Sequence, residues 1–316
     1  MTELLCRIIL LVRGLLDKIL KSANLIRFPL VGGTGIQSRD GYFSTFDGVR
    51  LFYREWHTGN TVCYLLIVHG LGEHSGRYNQ LAEDFLREGV SSIAFDLRGH
   101  GKSEGKRGHI MNFNEYIYDL DNFKEMLLKR INKPLFLLGH SMGGLIAMSY
   151  AIKNSQGLSG LITSSPLFKI RVKVPAWKAF IGRTVSRLIP ALSMNNELNA
   201  NMLSHNTDVV KAYLGDPLVH AKVSSRWFTE VTQTMEDTLN IADRLNIPIL
   251  MLHAGADRLA DPVGSKEIFG RLRVESKALK IYDGFYHEIY NEVNREEPIR
   301  DTIEWLRKRL ATLSAD

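Results

Sequence analysis

Residues 135–144 read LFLLGHSMGG and place a serine between two glycines in the pattern G-x-S-x-G. The four residues before Gly139 predict a buried strand, and the residues from Met142 onward predict a helix. A turn this sharp strains the backbone of Ser141, so Gly139 and Gly143 must leave room for it. It would expose the Ser141 hydroxyl at the carboxyl edge of a sheet, where α/β proteins bind ligands. We therefore predict Ser141 as a nucleophile; the alternative is a glycine-rich turn without chemistry.

Strand and helix patterns alternate on both sides of this turn. An Asp47-Gly48 hairpin joins Phe43–Phe46 to Arg50–Trp56, and Val62–Val68 reads as a strand buried on both faces. The other predicted strands are Ser91–Phe95, Leu135–Leu138, Leu158–Thr163, Ile249–His253 and Ala278–Tyr282. The predicted helices are Tyr78–Glu88, Phe113–Ile131, Met142–Asn154, Pro262–Leu272 and Pro298–Leu310. The alternation predicts an α/β fold with a mostly parallel sheet flanked by helices.

Residues 166–235 interrupt the alternation with helical fragments and turns but no clear strand. This stretch is far longer than an ordinary connection, which rarely exceeds about 12–15 residues. We therefore predict a helical cap inserted at about 166–235 into one catalytic domain that spans 41–316. The length of 316 residues and the ordinary hydrophobic and charged shares, 45% and 23%, agree with a globular domain.

A serine nucleophile needs a base, and the base needs an acid that orients it. In this architecture the chain order is serine, acid, histidine. Of the ten histidines, His287 is the one that follows the last predicted strand, and Asp257 follows the strand before it. We predict these two as base and acid. Asp261 and Asp283 are expected to be surface or turn residues.

The negative oxygen of an acyl-transfer intermediate needs two backbone N–H donors. Met142, the residue after the nucleophile, would supply one of them. The other is expected from the loop after the first parallel strand, in which Gly70 and Gly72 let the backbone turn its amides inward. We choose Leu71 as this second donor. His69 is expected to tie the loop together by hydrogen bonds.

The chain resembles the monoacylglycerol lipase and lysophospholipase group of the α/β-hydrolase superfamily, related to serine aminopeptidases of the S33 type. The resemblance rests on segments spread over residues 41–312. These segments are His69–Tyr78, Asp96–Ser103, the Ser141 turn, Gly255–Leu259 and Tyr286–Glu288. The family usually has a small residue at the position of Leu71, so a narrower acyl pocket is expected here.

The resemblance implies a serine esterase that cleaves single-chain lipids, either monoacylglycerol or lysophospholipid, without a cofactor or metal. Acyl transfer and broad-specificity ester hydrolysis use the same three residues and stay open. Peptidase activity is a further alternative, although no acidic amine-binding site is identifiable. Epoxide hydrolase and dehalogenase activities are disfavoured, because those relatives have Asp at the position of Ser141. A non-catalytic binding module is disfavoured because Ser141, Asp257 and His287 are all present.

The first 35 residues form a separate segment. Residues 2–21 place their leucines, isoleucines and valine on one half of a helical wheel, with Leu10 the exception, and place Arg7, Arg13, Asp17 and the lysines on the other half. This pattern predicts an amphipathic helix at a membrane interface, followed by a glycine-rich linker. The alternative is a helix that packs on its own domain or on a second copy of the chain. A cleaved signal is disfavoured because Arg7 and Arg13 interrupt the apolar run.

The net charge of +6 is unevenly distributed. Residues 1–35 carry +3, residues 166–235 carry +5, and the rest of the chain carries −2. This charge distribution favours a membrane surface as the partner, which the N-terminal helix and the basic cap would contact. For the cap, the alternative is a helical face that is simply solvated. No nucleic-acid recognition motif accompanies the charge.

The two cysteines, Cys6 and Cys63, are too few for a disulfide framework, and no Cys/His cluster has zinc spacing. No apolar run is long enough for a membrane span, which takes about 18 residues. We therefore expect a cytoplasmic protein that associates peripherally with a membrane.

Overall fold

The computed structural model describes residues 37–171, 184–196 and 198–314, all within the unit Ile36–Asp316. The predicted N-terminal helix in residues 1–35 lies outside the described residues, as do residues 172–183 of the predicted cap. No helix in the described ranges is long and apolar enough to cross a membrane.

One eight-stranded sheet organises the described residues. Its strands are β1 (Gln37–Ser44), β2 (Arg50–His57), β3 (Cys63–Val68), β4 (Val90–Phe95), β5 (Leu135–His140), β6 (Gly160–Ser164), β9 (Ile249–Ala254) and β10 (Lys277–Tyr282). A separate two-stranded sheet consists of β7 (Ser193–Asn195) and β8 (Lys222–Ser224). The order in the large sheet is β1-β2-β4-β3-β5-β6-β9-β10. Only the pairs β1–β2 and β2–β4 of this sheet are antiparallel. The predicted, mostly parallel sheet is therefore confirmed.

Helices cover both faces of the sheet. They are α1 (Asn79–Arg87), α2 (Asn114–Leu128), α3 (Met142–Lys153), α4 (Thr207–Gly215), α5 (Ser225–Asn240), α6 (Pro262–Arg271) and α7 (Glu296–Leu313). Strand β3 shows why both faces need cover. Its Leu65 and Ile67 pack in the core beneath α1 and α7, whereas Leu66 and Val68 pack in the core beneath α2 and α3. A strand that is apolar on both faces is stable only between two such layers.

Two predicted boundaries and one predicted absence need correction. The first strand begins at Gln37, because its polar residues pair with β2 as an edge strand whose register runs back to His57. The stretch 166–235 contains β7 and β8, which pair antiparallel. Each has only three residues, too short for a recognisable alternation. Helix α5 continues past 235 to Asn240, where Thr238 is buried and hydrogen-bonded to Ser149 and Leu239 packs against the main core.

The turn between β5 and α3 has no room for a side chain at Gly139 or at Gly143, the positions two residues before and after the serine. A Cβ added to Gly139 would lie 2.3 Å from the Gly143 carbonyl oxygen, and one added to Gly143 would lie 2.1 Å from the Val68 carbonyl oxygen. Ser141 itself has φ 53° and ψ −120°. This conformation is costly for a residue with a Cβ. The strained turn predicted from G-x-S-x-G is therefore present.

We expect Ser141→Gly to be more stable than Ser141→Ala by about 1 kcal/mol. Both variants lose the hydroxyl, but glycine also relieves the positive φ, a strain of about 1–3 kcal/mol that exceeds its extra unfolded-state entropy. Urea unfolding of the two variants measures the difference. The same pair at Ser44, an exposed strand residue outside the positive-φ region, should show the opposite order. Equal stability of the two Ser141 variants would contradict the strain.

Candidate active site

The predicted site residues lie at the carboxyl edge of the parallel strands. Leu71 follows β3, Ser141 follows β5, Asp257 follows β9 and His287 follows β10. The carboxyl ends of parallel strands meet at one edge, so residues distant in sequence converge there. Ser141, Leu71 and His287 line one cavity of about 690 Å³.

Asp257 and His287 form a buried pair. The His287 Nδ1 lies 2.7 Å from the Asp257 Oδ2. The other oxygen, Oδ1, accepts hydrogen bonds from the amides of Leu259 at 2.8 Å and Ala260 at 3.0 Å. With both oxygens hydrogen-bonded, the orientation of the carboxylate is fixed. It holds the proton on Nδ1 of His287 and leaves Nε2 as the nitrogen that can take one.

The pair shifts the pKa of both members. Burial alone would raise the pKa of Asp257, but the imidazole of His287 and that of His253 lower it well below its usual range. Burial alone would lower the pKa of His287, yet the Asp257 carboxylate and its hydrogen bond raise it above the usual value. Asp257 is therefore ionised, and a charged His287 is stabilised beside it.

The two alternative acids lie elsewhere, as expected. The Asp261 carboxylate accepts the Val263 amide at 3.0 Å and caps the first turn of α6. Asp283 is exposed in the turn after β10. Neither carboxylate is hydrogen-bonded to His287 in the described part of the chain.

Two amides beside Ser141 are available to a ligand. Met142 opens helix α3, and the loop that carries Leu71 passes close to Ser141, since a Cβ on Gly70 would lie 3.1 Å from the Ser141 Cβ. Within residues 37–171, 184–196 and 198–314, neither the Leu71 nor the Met142 amide donates to a protein acceptor. A helix N-terminus next to the serine also favours developing negative charge.

Hydrogen bonds fix the Gly70 end of this loop. The Gly70 amide donates to Glu73 Oε1 at 2.6 Å. His69 Nε2 accepts the Leu97 amide at 2.9 Å, so its Nδ1 carries the proton and donates to the Gly70 carbonyl at 2.8 Å. Burial lowers the pKa of His69, which keeps the ring neutral. His69 thus ties the loop together, as the sequence predicted.

The cavity has an apolar wall and a polar end. What we call its polar end is the group Glu73, Arg77, His140 and Glu288; Asn195, Asn196, Asn199 and Arg258 add further polar side chains to the lining. Residues of the loop after β3, of the cap and of the segment after β9 form the apolar wall. They include Leu71, Leu167, Ile170, Met194, Leu198, Met202, Leu203, Val223, Trp227, Phe228, Val231 and Leu259. Most of this wall belongs to the insertion between β6 and β9, so the cap shapes the cavity.

Sequence reasoning missed the ionic cluster at the polar end. Arg77 donates two hydrogen bonds to Glu288, at 2.6 and 2.8 Å, and one to Glu73 at 2.9 Å. The guanidinium also lies 4.9 Å from the ring centroid of Tyr213, a cap residue. The signal was the position of these charges, in the segment His69–Tyr78 and directly after His287. Buried charges are stable only when they are paired, and Arg77 is paired with both Glu73 and Glu288.

Two further histidines contact the Asp257–His287 pair. His140 lies with its ring centroid 4.9 Å from that of His287, and burial together with that neighbour lowers its pKa to about 4. His253 is buried, with Nε2 3.4 Å from Asp257 Oδ2 and Nδ1 2.7 Å from Ser265 Oγ. Sequence reasoning left His253 as a strand residue and His140 as an unassigned residue of the G-x-S-x-G turn, since neither pattern reveals which side chain meets the pair.

Among residues 37–171, 184–196 and 198–314, no group of three or more His, Cys, Asp or Glu side chains is arranged to hold a metal ion. Cys63 is a buried free thiol in β3, whose pKa burial raises to about 12. It belongs to the core, within the strand Val62–Val68 that the sequence predicts to be buried on both faces.

Comparison with known proteins places the chain in a family. A family model described as serine aminopeptidase, S33, matches residues 60–294. An abhydrolase domain-containing protein of Dictyostelium discoideum is 32% identical over 84% of this chain, which spans only 28% of that relative. A phospholipase of Bacillus subtilis is 34% identical over 77% of this chain and 94% of its own length. The crystal structure of Paleococcus ferrophilus monoacylglycerol lipase shares 34% identity, with a TM-score of 0.73 over 87% of this chain and 100% of that one.

The family match covers most of the described sheet and includes Ser141, Asp257 and His287. The structural match extends over the whole length of the Paleococcus enzyme. The chain therefore belongs to the serine aminopeptidase S33 family of α/β-hydrolases, in its monoacylglycerol lipase-like group.

Proposed function

We propose that this protein is a carboxylic ester hydrolase that cleaves single-chain lipids, monoacylglycerol or lysophospholipid, through an acyl-enzyme on Ser141. The observation that carries the proposal is the placement of Ser141 and of the buried Asp257–His287 pair on one mostly apolar cavity. Relatives named monoacylglycerol lipase and phospholipase support the lipid ester class.

In this mechanism Ser141 Oγ attacks the ester carbonyl carbon while His287 Nε2 takes its proton. The Asp257 carboxylate, 2.7 Å from Nδ1, stabilises the imidazolium that forms. The amides of Leu71 and Met142 donate to the carbonyl oxygen as it becomes negative. His287 then protonates the departing alcohol oxygen. A water molecule, activated by the same nitrogen, attacks the acyl carbon and releases the fatty acid from Ser141.

The two ends of the cavity suit the two parts of such a substrate. The apolar wall would take the acyl chain, whose transfer from water is favourable in proportion to buried area. The Glu73, Arg77 and Glu288 groups would face the glycerol or phosphoglycerol part, because they offer both donors and acceptors. Leu71 adds its side chain to the wall beside the serine, which narrows the cavity there.

Acyl transfer is the second candidate, because an alcohol that replaces water in the last step uses the same residues. A labelled monoacylglycerol with an added alcohol separates the two by product analysis. Free fatty acid as the main product supports hydrolysis, and a new ester supports transfer. A panel of monoacylglycerol, diacylglycerol and lysophospholipid then identifies the preferred substrate.

Ser141→Ala should lower kcat/KM for monoacylglycerol at least about 1,000-fold, because no nucleophile remains. A fluorophosphonate should phosphonylate Ser141 in the wild type, with loss of fluoride, and should leave this variant unlabelled. Ser44→Ala, an exposed serine in β1, is the matched control and should keep full activity and labelling. Retention of full activity by Ser141→Ala would sink the assignment.

The pH profile should have an acidic limb whose midpoint lies above the value of about 6.5 typical of free histidine. His287 must be neutral at Nε2 to act as base, and its pKa is raised, so kcat/KM falls as the pH drops through that raised value. Asp257→Asn removes the carboxylate that raises this pKa, so the limb should move to lower pH while the plateau falls. We would measure kcat/KM for a soluble ester between pH 5 and 9; a midpoint below that of free histidine contradicts the pairing.

We also propose that the protein docks on anionic lipid surfaces through the cap. An exposed apolar edge of the cap, here called the docking edge, borders the cavity at Met194. It consists of Leu188, Ile189, Leu192 and Met194. Leu188 is 76% exposed, and the exposed Arg187 precedes it. Apolar side chains beside basic ones suit the boundary between anionic head groups and acyl chains.

Leu188→Ser combined with Ile189→Ser should weaken binding to phosphatidylcholine–phosphatidylglycerol vesicles about tenfold, or roughly 1.4 kcal/mol. Hydrolysis of a soluble short-chain ester should stay unchanged. Leu313→Ser, which changes an exposed leucine at the end of α7, is the control for vesicle co-sedimentation. Deletion of residues 1–30 tests the predicted N-terminal anchor in the same assay. Unchanged binding in both variants contradicts membrane docking, and a change of oligomeric state on deletion favours a protein-packing role for that segment.

A further inference from the structure

The cap is hydrogen-bonded to the loop that carries Leu71. The contact is made by residues 216–220, which connect α4 to β8 and are here called the cap turn. The His220 amide donates to the Gly72 carbonyl at 2.9 Å. The Asp216 Oδ2 lies 2.8 Å from His74 Nε2. Two points of the loop, on either side of Glu73, are thus held by residues more than 140 positions away in sequence.

The cap turn is itself a fixed structure. Asp216 Oδ1 accepts the Leu218 amide at 2.8 Å, and the Asp216 carbonyl accepts the Val219 amide at 3.2 Å. His74 Nδ1 accepts the Gly76 amide at 3.1 Å, so Nε2 is the nitrogen that donates to Asp216. One carboxylate therefore folds the cap turn with one oxygen and holds the loop with the other.

The fit at Gly72 is close enough to exclude a side chain. A Cβ there would lie 2.3 Å from the His220 carbonyl oxygen, and the φ of Gly72 is +75°. The backbones of the loop and the cap turn are therefore in direct contact. Each of the two segments constrains the conformation of the other. A shift of the cap by even an ångström breaks the His220–Gly72 hydrogen bond.

A row of three imidazoles connects the cap turn to the other end of the loop. The rings of His220 and His100 are 4.8 Å apart, and those of His100 and His69 are 5.3 Å apart. His220 Nε2 lies 3.1 Å from the Gly99 carbonyl, to which it donates. His69 in turn donates to the Gly70 carbonyl. The cap thus contacts the loop directly at Gly72 and supports, through His100, the ring that holds Gly70.

This arrangement determines the direction of the Leu71 amide. The Gly70 carbonyl and the Leu71 N–H belong to one planar trans peptide, so they point in opposite directions. Because His69 holds that carbonyl, the N–H direction is fixed as long as the ring and the next peptides stay in place. The hydrogen bond from His220 to Gly72 prevents the following peptides from turning.

We infer that the cap turn is a positioning element for the oxyanion donor, with Asp216 and His220 as its positioning residues. The inference rests on the proposed ester hydrolysis, and it adds that the cap acts on the chemical step as well as on lipid entry. With the cap seated, the Leu71 amide is aimed at the developing oxyanion. With the cap turn released, the cavity still admits small esters, but the donor loses its orientation.

Asp216→Ala tests the inference on a soluble short-chain nitrophenyl ester, which is too small to need the cap as a wall. We expect kcat to fall about 10-fold, less than for a deleted oxyanion donor, with KM changed less than about twofold. Affinity for a trifluoromethyl ketone, which forms a tetrahedral adduct with the serine, should weaken by a similar factor. Asp208→Ala is the control, because Asp208 lies on α4 and its side chain is 87% exposed. That variant should keep wild-type constants.

Combination with His74→Ala identifies the contact responsible. The double variant should lose less than the sum of the two single variants, since both remove the same His74–Asp216 hydrogen bond. Asp216→Asn keeps an acceptor for the Leu218 amide and is the second variant if Asp216→Ala fails to fold; it should show a smaller fall of kcat in the same direction.

Wild-type kcat on the soluble ester in a folded Asp216→Ala or Asp216→Asn, or a loss confined to KM for long-chain lipid, would overturn the inference. The cap would then be only a wall of the cavity. Failure of the proposed function looks different, because the wild type would not hydrolyse esters or Ser141→Ala would remain active.

Discussion

The backbone around Ser141 is the constraint on which the site depends. Carbonyl oxygens lie so close to Gly139 and Gly143 that a Cβ at either position would clash with them. This packing drives the serine into a positive φ and leaves its hydroxyl at the cavity. The strain persists because α3 is almost entirely buried between the sheet and helices α2 and α5. The stability of the core thus maintains a local conformation that an isolated peptide would avoid.

Charge around His287 is arranged in opposing groups. Asp257 lies against Nδ1 and favours the charged ring, while burial opposes it. Beyond the ring, Glu73 and Glu288 add negative potential, but Arg77 neutralises much of it through its three hydrogen bonds. His140 stays neutral beside His287, so it adds no repulsion when His287 takes a proton. A charged His287 is therefore stabilised by Asp257, while the buried charges beyond the ring largely cancel one another.

The elements that local pattern determines were predictable from the sequence. Apolar runs such as Val62–Val68 identified the parallel strands, and the turn at Ser141 identified the edge where side chains converge. Chain order then selected Asp257 and His287, which the structure joins at 2.7 Å. Their catalytic roles remain predictions until the variants are measured.

Contacts between segments distant in sequence were not predictable. The strands β7 and β8 have three residues each and gain stability from pairing with each other, which leaves no periodic signal. The pairing of Arg77 with Glu288 and the contact of His140 with His287 depend on how segments that follow different strands meet at the edge of the sheet. The hydrophobic pattern of the sequence does not reveal such contacts, because each partner alone looks like an ordinary loop or strand residue.

The small β7–β8 sheet gives the two proposed roles of the cap a common mechanical basis. Strand β7 contains Met194 of the docking edge, and Asn195 pairs with Lys222, two residues after His220. The Leu192 carbonyl also accepts the Ser225 amide, where α5 begins. A force on the docking edge is therefore transmitted through backbone hydrogen bonds to the cap turn and from there to Gly72. If both proposals hold, contact with a lipid surface and orientation of the Leu71 amide are linked by the same few hydrogen bonds, and the proposed oxyanion donor responds to the state of the cap at the membrane.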